Sequence, residues 1–137
     1  MFSVLLFFVF IGTVTGCSCI PRPNLSDDFA QTPIVFIGRV VMVNMHKSNG
    51  YSGIAEYTMI VEEAFKGIKR DSTIVVHTNT EGTYCGLPEI SVGAQWQMWV
   101  YEGNWTDSCT RSTSNYNQNR AELEEQAKRI AARNVQL

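Results

Sequence analysis

Histidine is scarce in this chain, and an excess of positive charge is absent. Eleven Lys and Arg face thirteen Asp and Glu, a formal net charge of -2. The basic surface that neutralises phosphates is therefore lacking, and no nucleic-acid partner is expected. The two histidines, His46 and His77, are far apart in sequence and belong to no H-E-x-x-H or similar ligand pattern, so they read as surface or structural residues. No G-x-S-x-G elbow, P-loop or Rossmann glycine run occurs. The acidic neighbours Glu62 and Glu63 fall in a predicted strand, where successive side chains point to opposite faces and form no acid/base dyad. No catalytic residue emerges, and the chain is expected not to be an enzyme. Its 137 residues suffice for one ordinary domain.

Long apolar runs are also lacking, apart from the start. Met1 to Gly16 carries no charged side chain, and the run from Phe2 to Val14 is too short to cross a bilayer comfortably. Val14 and Gly16 supply the small residues that a signal peptidase prefers. Residues 1–16 thus read as a secretory signal peptide and residues 17–137 as the mature domain, secreted and extracellular, with no membrane segment after cleavage. Length argues against the rival reading, a retained anchor. Val14-Thr15-Gly16-Cys17 also has the form of a lipoprotein cleavage box, but no Lys or Arg precedes the apolar run.

There are four cysteines, Cys17, Cys19, Cys85 and Cys109, all in the mature part. An even number in a small exported domain reads as two disulfides. Joining Cys17 to Cys19 would close a strained ring, which leaves two connectivities undecided; either ties the N-terminus to distant segments. A zinc knuckle would show C-x2-C pairs, whereas Cys85 and Cys109 stand alone. C-S-C also lacks the spacer of a thioredoxin-like redox motif.

Ile34 to Val43 is nearly all β-branched or apolar and reads as a long, curved strand with a bulge or bend at Gly38. A polar loop from Asn44 to Gly53 is expected next. Ile54 to Phe65 then alternates, with Tyr57, Met59 and Val61 on one face and Glu56, Thr58 and Glu62 on the other, as a hairpin partner would. Lys66-Gly67 breaks the run. Thr73 to Thr78, Gln95 to Tyr101 and a brief segment at Cys109 complete five strands. They suit a mainly β fold, a small Greek-key barrel of the oligonucleotide/oligosaccharide-binding type, which leaves few exposed edges. Arg120 to Arg133 has helical spacing, with Leu123, Ala127, Ile130 and Ala131 on one face. Asn119 and Glu122 form a capping-box pattern at its start.

The mature start, Cys17-Ser18-Cys19-Ile20-Pro21, resembles the C-x-C-x-P opening of the tissue inhibitors of metalloproteinases. The resemblance extends along the chain: an apolar strand at Ile34 to Val43, Phe65-Lys66-Gly67, Cys85-Gly86, then Cys109 before a polar stretch and a helix. It covers nearly the whole mature chain and concerns the inhibitory domain alone. A third disulfide usual in that family has no counterpart, since no cysteine lies near Phe29 to Gln31 or after the helix.

The resemblance implies a netrin-like barrel and the pairing Cys17–Cys85 and Cys19–Cys109. It also implies an inhibitory ridge of Cys17, Ser18, Cys19, Ile20 and Pro21 beside Thr83, Tyr84 and Cys85. The free amine and carbonyl of Cys17 would chelate the catalytic zinc of a matrix-metalloproteinase-type enzyme, with Ser18 entering its specificity pocket. The implied zinc belongs to the target; no cofactor of the chain's own is expected. Related netrin-like modules bind matrix or host proteins without inhibiting proteases, and a barrel binding a glycan or small ligand is a third reading. Asn24-Leu25-Ser26 and Asn104-Trp105-Thr106 have the form of glycan acceptors.

Overall fold

The computed structural model describes residues 16–48, 51–80 and 84–136. The expected leader up to Thr15, and Thr83 of the expected ridge, lie outside the described residues. Strands β1 (Ile34–Ser48), β2 (Tyr51–Lys66), β3 (Thr73–Asn79) and β4 (Gln95–Val100) form an antiparallel sheet in the order β3-β2-β1-β4. With helices α1 (Leu25–Gln31) and α2 (Arg120–Val135), the protein is mainly β, a curled half-barrel with a C-terminal helix.

The curl begins in β1. Its register against β2 shifts between Val35 and Phe36, Ile37 and Gly38, Val40 and Met42, and His46 and Ser48, and such irregularities bend and twist a strand. Gly38 sits at one of them, as expected. A Cβ there would lie 2.7 Å from the Phe36 ring and 2.9 Å from the Ile60 carbonyl oxygen. At the far end of β2, Gly67 takes φ +71°, a left-handed conformation that ends the strand at Lys66.

β1 and β2 run further than the sequence pattern suggests. Much of the expected loop from Asn44 to Gly53 is paired: Asn44 faces Glu56, Met45 faces Ala55 and His46 faces Ile54. Polar side chains on a solvated face leave the backbone ladder intact, so their presence did not mark a loop. The expected fifth strand at Cys109 is instead a turn. Asp107 Oδ1 accepts from the amides of Cys109 at 2.8 Å and Thr110 at 3.1 Å, which satisfies locally donors that a ladder would otherwise use. Nearby, Trp105 makes isolated bridges to His77 and Tyr101, and Thr113 makes one to Gln97.

Two cores lie on opposite faces of the sheet. Phe36, Val40, Tyr57, Met59, Val61, Val76, Met98 and Val100 fill the concave side. Behind β1 and β4, Val35, Ile37, Phe65 and Trp99 pack with Phe29 of α1 and Leu123 of α2. β4 is covered on both faces, which is why Trp96, Met98, Trp99 and Val100 are apolar with little alternation and the whole of Trp96 to Val100, the polar Gln97 included, is buried. Phe29 meets Trp99 edge-on, with ring centroids 6.0 Å apart.

The helices differ from expectation at their starts. α1 was not expected, although its signal is local: Asn24 Oδ1 accepts from the Asp27 amide at 2.9 Å, with Asp27 and Asp28 in the first turn. At α2 the capping box does not form. A side-chain cap needs an extended backbone, and the preceding turn delivers Asn119 in the left-handed region at φ 56°. Leu123 is fully buried, with Ala127 and Ile130 packed beside it, but Ala131 is exposed.

Candidate functional site

Three segments meet at the cysteines. Cys17 is bonded to Cys85 and Cys19 to Cys109, with Cα separations of 5.2 and 5.4 Å across 68 and 90 positions of sequence. This is the pairing that the resemblance implies. Loops of such length are worth on the order of 4 kcal/mol each on the chain-entropy model. The four sulfurs lie within 4.8 Å of one another, and Cys17 Sγ is 4.0 Å from Cys109 Sγ. Held as disulfides, they present no thiolate to a metal.

Polar contacts fix the same junction. Ser108 donates its amide to the Cys85 carbonyl at 2.7 Å, and Cys85 itself takes φ 55°, a left-handed conformation costing about 1–2 kcal/mol for a residue with a side chain. Arg22 Nη1 donates to the Thr110 carbonyl at 3.0 Å. Arg111 Nη2 donates to the Pro23 carbonyl at 2.6 Å, while its Nε donates to Asp28 Oδ2 at 2.7 Å. The Arg111 guanidinium also sits 5.8 Å from the Trp99 ring centroid. Tyr101 OH donates to Asp28 Oδ1 at 3.2 Å. Burial raises the Tyr101 phenol above its ordinary pKa, and the Asp28 charge acts in the same direction.

Between these anchors the chain is open to solvent. Cys17 is half-buried, whereas Ser18, Cys19, Ile20 and Pro21 are exposed, Ile20 to 89%. Tyr84, next to Cys85, is 53% exposed, and its carbonyl accepts from Asn79 Nδ2 at 3.4 Å. A short exposed ridge thus stands beside an exposed aromatic ring, with its backbone tied down at both cysteines.

The two expected glycan acceptors lie in different local structures, one before α1 and one in a 3-10 turn. Asn24 is exposed and caps α1 through Oδ1, whereas a glycan would attach through the amide nitrogen. Asn104 closes a 3-10 turn, Glu102–Asn104, and is half-buried at φ 60°. Arg111, Asp28 and Asp107, the residues that fasten the N-terminal segment to its support, belong to no motif of the sequence. Only the Asn24 cap, which marks a helix carrying Asp28, hinted at them.

A scan against protein-family models finds no match, and a search of curated proteins finds no significant match.

Proposed function

We propose that this protein is a secreted inhibitor of zinc metalloproteinases, acting through the N-terminus that cleavage after Gly16 would expose. The observation that carries the reading is the double clamp. Cys17 and Cys19 are tied to Cys85 and Cys109, while Ser18, Ile20 and Pro21 stay exposed. A ridge already fixed in this way loses little conformational freedom when it enters a cleft.

The chemistry follows from one residue. The α-amine and carbonyl oxygen of Cys17 close a five-membered ring on a metal ion. A catalytic zinc keeps a position open for water or substrate, which the chelate would take. The amine must be neutral to bind, and with an ordinary α-amino pKa of about 7.7 to 8.0 deprotonation near neutral pH costs little. In this reading Ser18 enters the specificity pocket, Ile20 and Pro21 extend the contact, and Thr83, Tyr84 and Cys85 form its second edge. The sheet would be the major part of a netrin-like barrel, with the Trp105 bridges to His77 and Tyr101 supporting closure between β3 and the end of β4. The protein has no catalytic role of its own in this account.

The test is to express the precursor in a secreting host, determine the mature N-terminus by mass spectrometry and assay a panel of matrix-type zinc metalloproteinases. Inhibition by a chain beginning at Cys17 is the expected result. A correctly cut, disulfide-bonded chain that inhibits none of the panel overturns the reading in favour of a non-inhibitory module that binds a matrix or host protein.

A further inference from the structure

One cavity gathers two arginines and no carboxylate. Arg22, from the N-terminal segment, and Arg111, from the turns after Cys109, line a space of about 210 Å³ together with Ser108, Thr113, Gln118 and Asn119. Neither Asp nor Glu nor any wholly apolar side chain lines it. The cavity stands at the base of the ridge, since Ser108 Oγ is 3.8 Å from Cys17 Sγ.

The two cations are not equally neutralised. Arg111 Nε donates to Asp28 Oδ2 at 2.7 Å, whereas Arg22 makes no salt bridge among the described residues. Arg22 Nη1 donates to the Thr110 carbonyl at 3.0 Å, which steadies the guanidinium and leaves most of its N–H donors unspent. Other donors stand beside it. Thr113 Oγ1 accepts from the Asn115 amide at 3.1 Å, so its own proton remains to be given. Asn119 makes no side-chain cap on α2, and its amide is exposed.

We propose that this cavity binds a tetrahedral oxyanion, phosphate or sulfate, with Arg22 as its principal ligand and Arg111 as its second. A guanidinium presents planar, charge-assisted donors that match the oxygens of such an ion. The hydroxyls of Ser108 and Thr113 and the Asn119 amide suit the oxygens that remain. A water takes about 30 Å³ of the liquid, so the space admits one such ion with water beside it. The wall is already set. Gln97, only 2% exposed, donates through Nε2 to the Tyr116 and Gln118 carbonyls at 3.1 and 2.8 Å, and it exchanges backbone hydrogen bonds with Thr113 at 3.0 and 2.9 Å. Little ordering is left for the ligand to impose. A bound ion joins the N-terminal segment to the turn carrying Arg111, a further tie beside the two disulfides. The inference does not depend on chelation by Cys17.

The experiment titrates the isotope-labelled, disulfide-bonded protein with sodium phosphate and then sodium sulfate, at an ionic strength held constant with sodium chloride, and follows the amide signals by NMR. Saturable shifts at Ser108, Thr113 and Asn119 are the expected result. Arg22→Gln should weaken binding by about tenfold or more, as loss of a charge-assisted hydrogen bond does. Gln118→Glu keeps both arginines and sets a carboxylate on the rim, and it should also weaken binding. Arg129→Gln, whose partner is Glu125 on the same helix, should leave it unchanged. Methyl phosphate and methyl sulfate separate the sources: affinity equal to that of the inorganic ions assigns a group carried on a larger molecule, and binding of the inorganic ions alone assigns the free ion. The absence of saturable shifts, their reproduction by chloride alone, or an affinity unchanged in Arg22→Gln or in Gln118→Glu would overturn the proposal. The same spectra verify that each variant is folded.

Discussion

Arg111 holds Asp28 at 2.7 Å and reaches the Pro23 carbonyl with the same guanidinium, so one side chain joins α1, the turn after Cys109 and the N-terminal segment. The Asp28 side chain is only 6% exposed and that of Arg111 22%. Removing one partner of a buried pair leaves the other charge uncompensated. Asp28→Ala is therefore expected to lower stability by about 3 kcal/mol in chemical denaturation of the disulfide-intact protein, and Asp28→Asn by less. A loss below about 1 kcal/mol would class the pair with surface salt bridges.

Gly38 tests the origin of the curl. The nearest neighbours of an added Cβ are the fully buried Phe36 ring and a backbone carbonyl, neither of which moves easily. Gly38→Ala should cost about 1–3 kcal/mol, as overpacking does, and Gly38→Val more. Thermal unfolding of both variants measures it; wild-type stability for Gly38→Val would show that β1 tolerates a side chain at the bend.

Tyr101 predicts an alkaline effect. Its phenol is raised above the ordinary value of 10.0 by burial, with Asp28 adding to the shift. The folded state then keeps a proton that the unfolded state releases, so the associated stability is present below about pH 10 and is lost as pH rises through the folded value. Across about pH 9 to 11, the wild type should lose stability relative to Tyr101→Phe. A difference that does not change with pH would contradict the shift.

Ser18 tests the proposed pocket contact. It is exposed between two disulfide-bonded cysteines, so shortening it leaves the clamp intact. Ser18→Gly should change the order of inhibition constants across a metalloproteinase panel while leaving the unfolding temperature within a few degrees. Equal effects on every enzyme would remove Ser18 from the specificity determinants.

Much of the sheet was legible because its signals are local. Alternation at Tyr57, Met59 and Val61, the β-branched run from Ile34 and the glycines at 38 and 67 each mark a strand, a bend or an end. Local signals mislead where side-chain hydrogen bonds replace a ladder, as at Asp107, and where a turn sets the backbone of a cap, as at Asn119. At the candidate site, the cysteine ridge was visible in C-S-C-I-P, but its support was not. Arg111 and Asp28 are joined across 83 positions, and no motif records such a pair.

In the proposed function, the free Cys17 amine is the group that inhibits. Its most direct test compares the inhibition constant of the secreted, disulfide-bonded chain beginning at Cys17 with that of the same preparation after selective acetylation of the α-amine. Acetylation leaves every disulfide and every ridge side chain in place and removes only the metal-binding nitrogen. The account requires inhibition of the zinc metalloproteinases before acetylation and its abolition afterwards. Undiminished inhibition by the acetylated chain would contradict it.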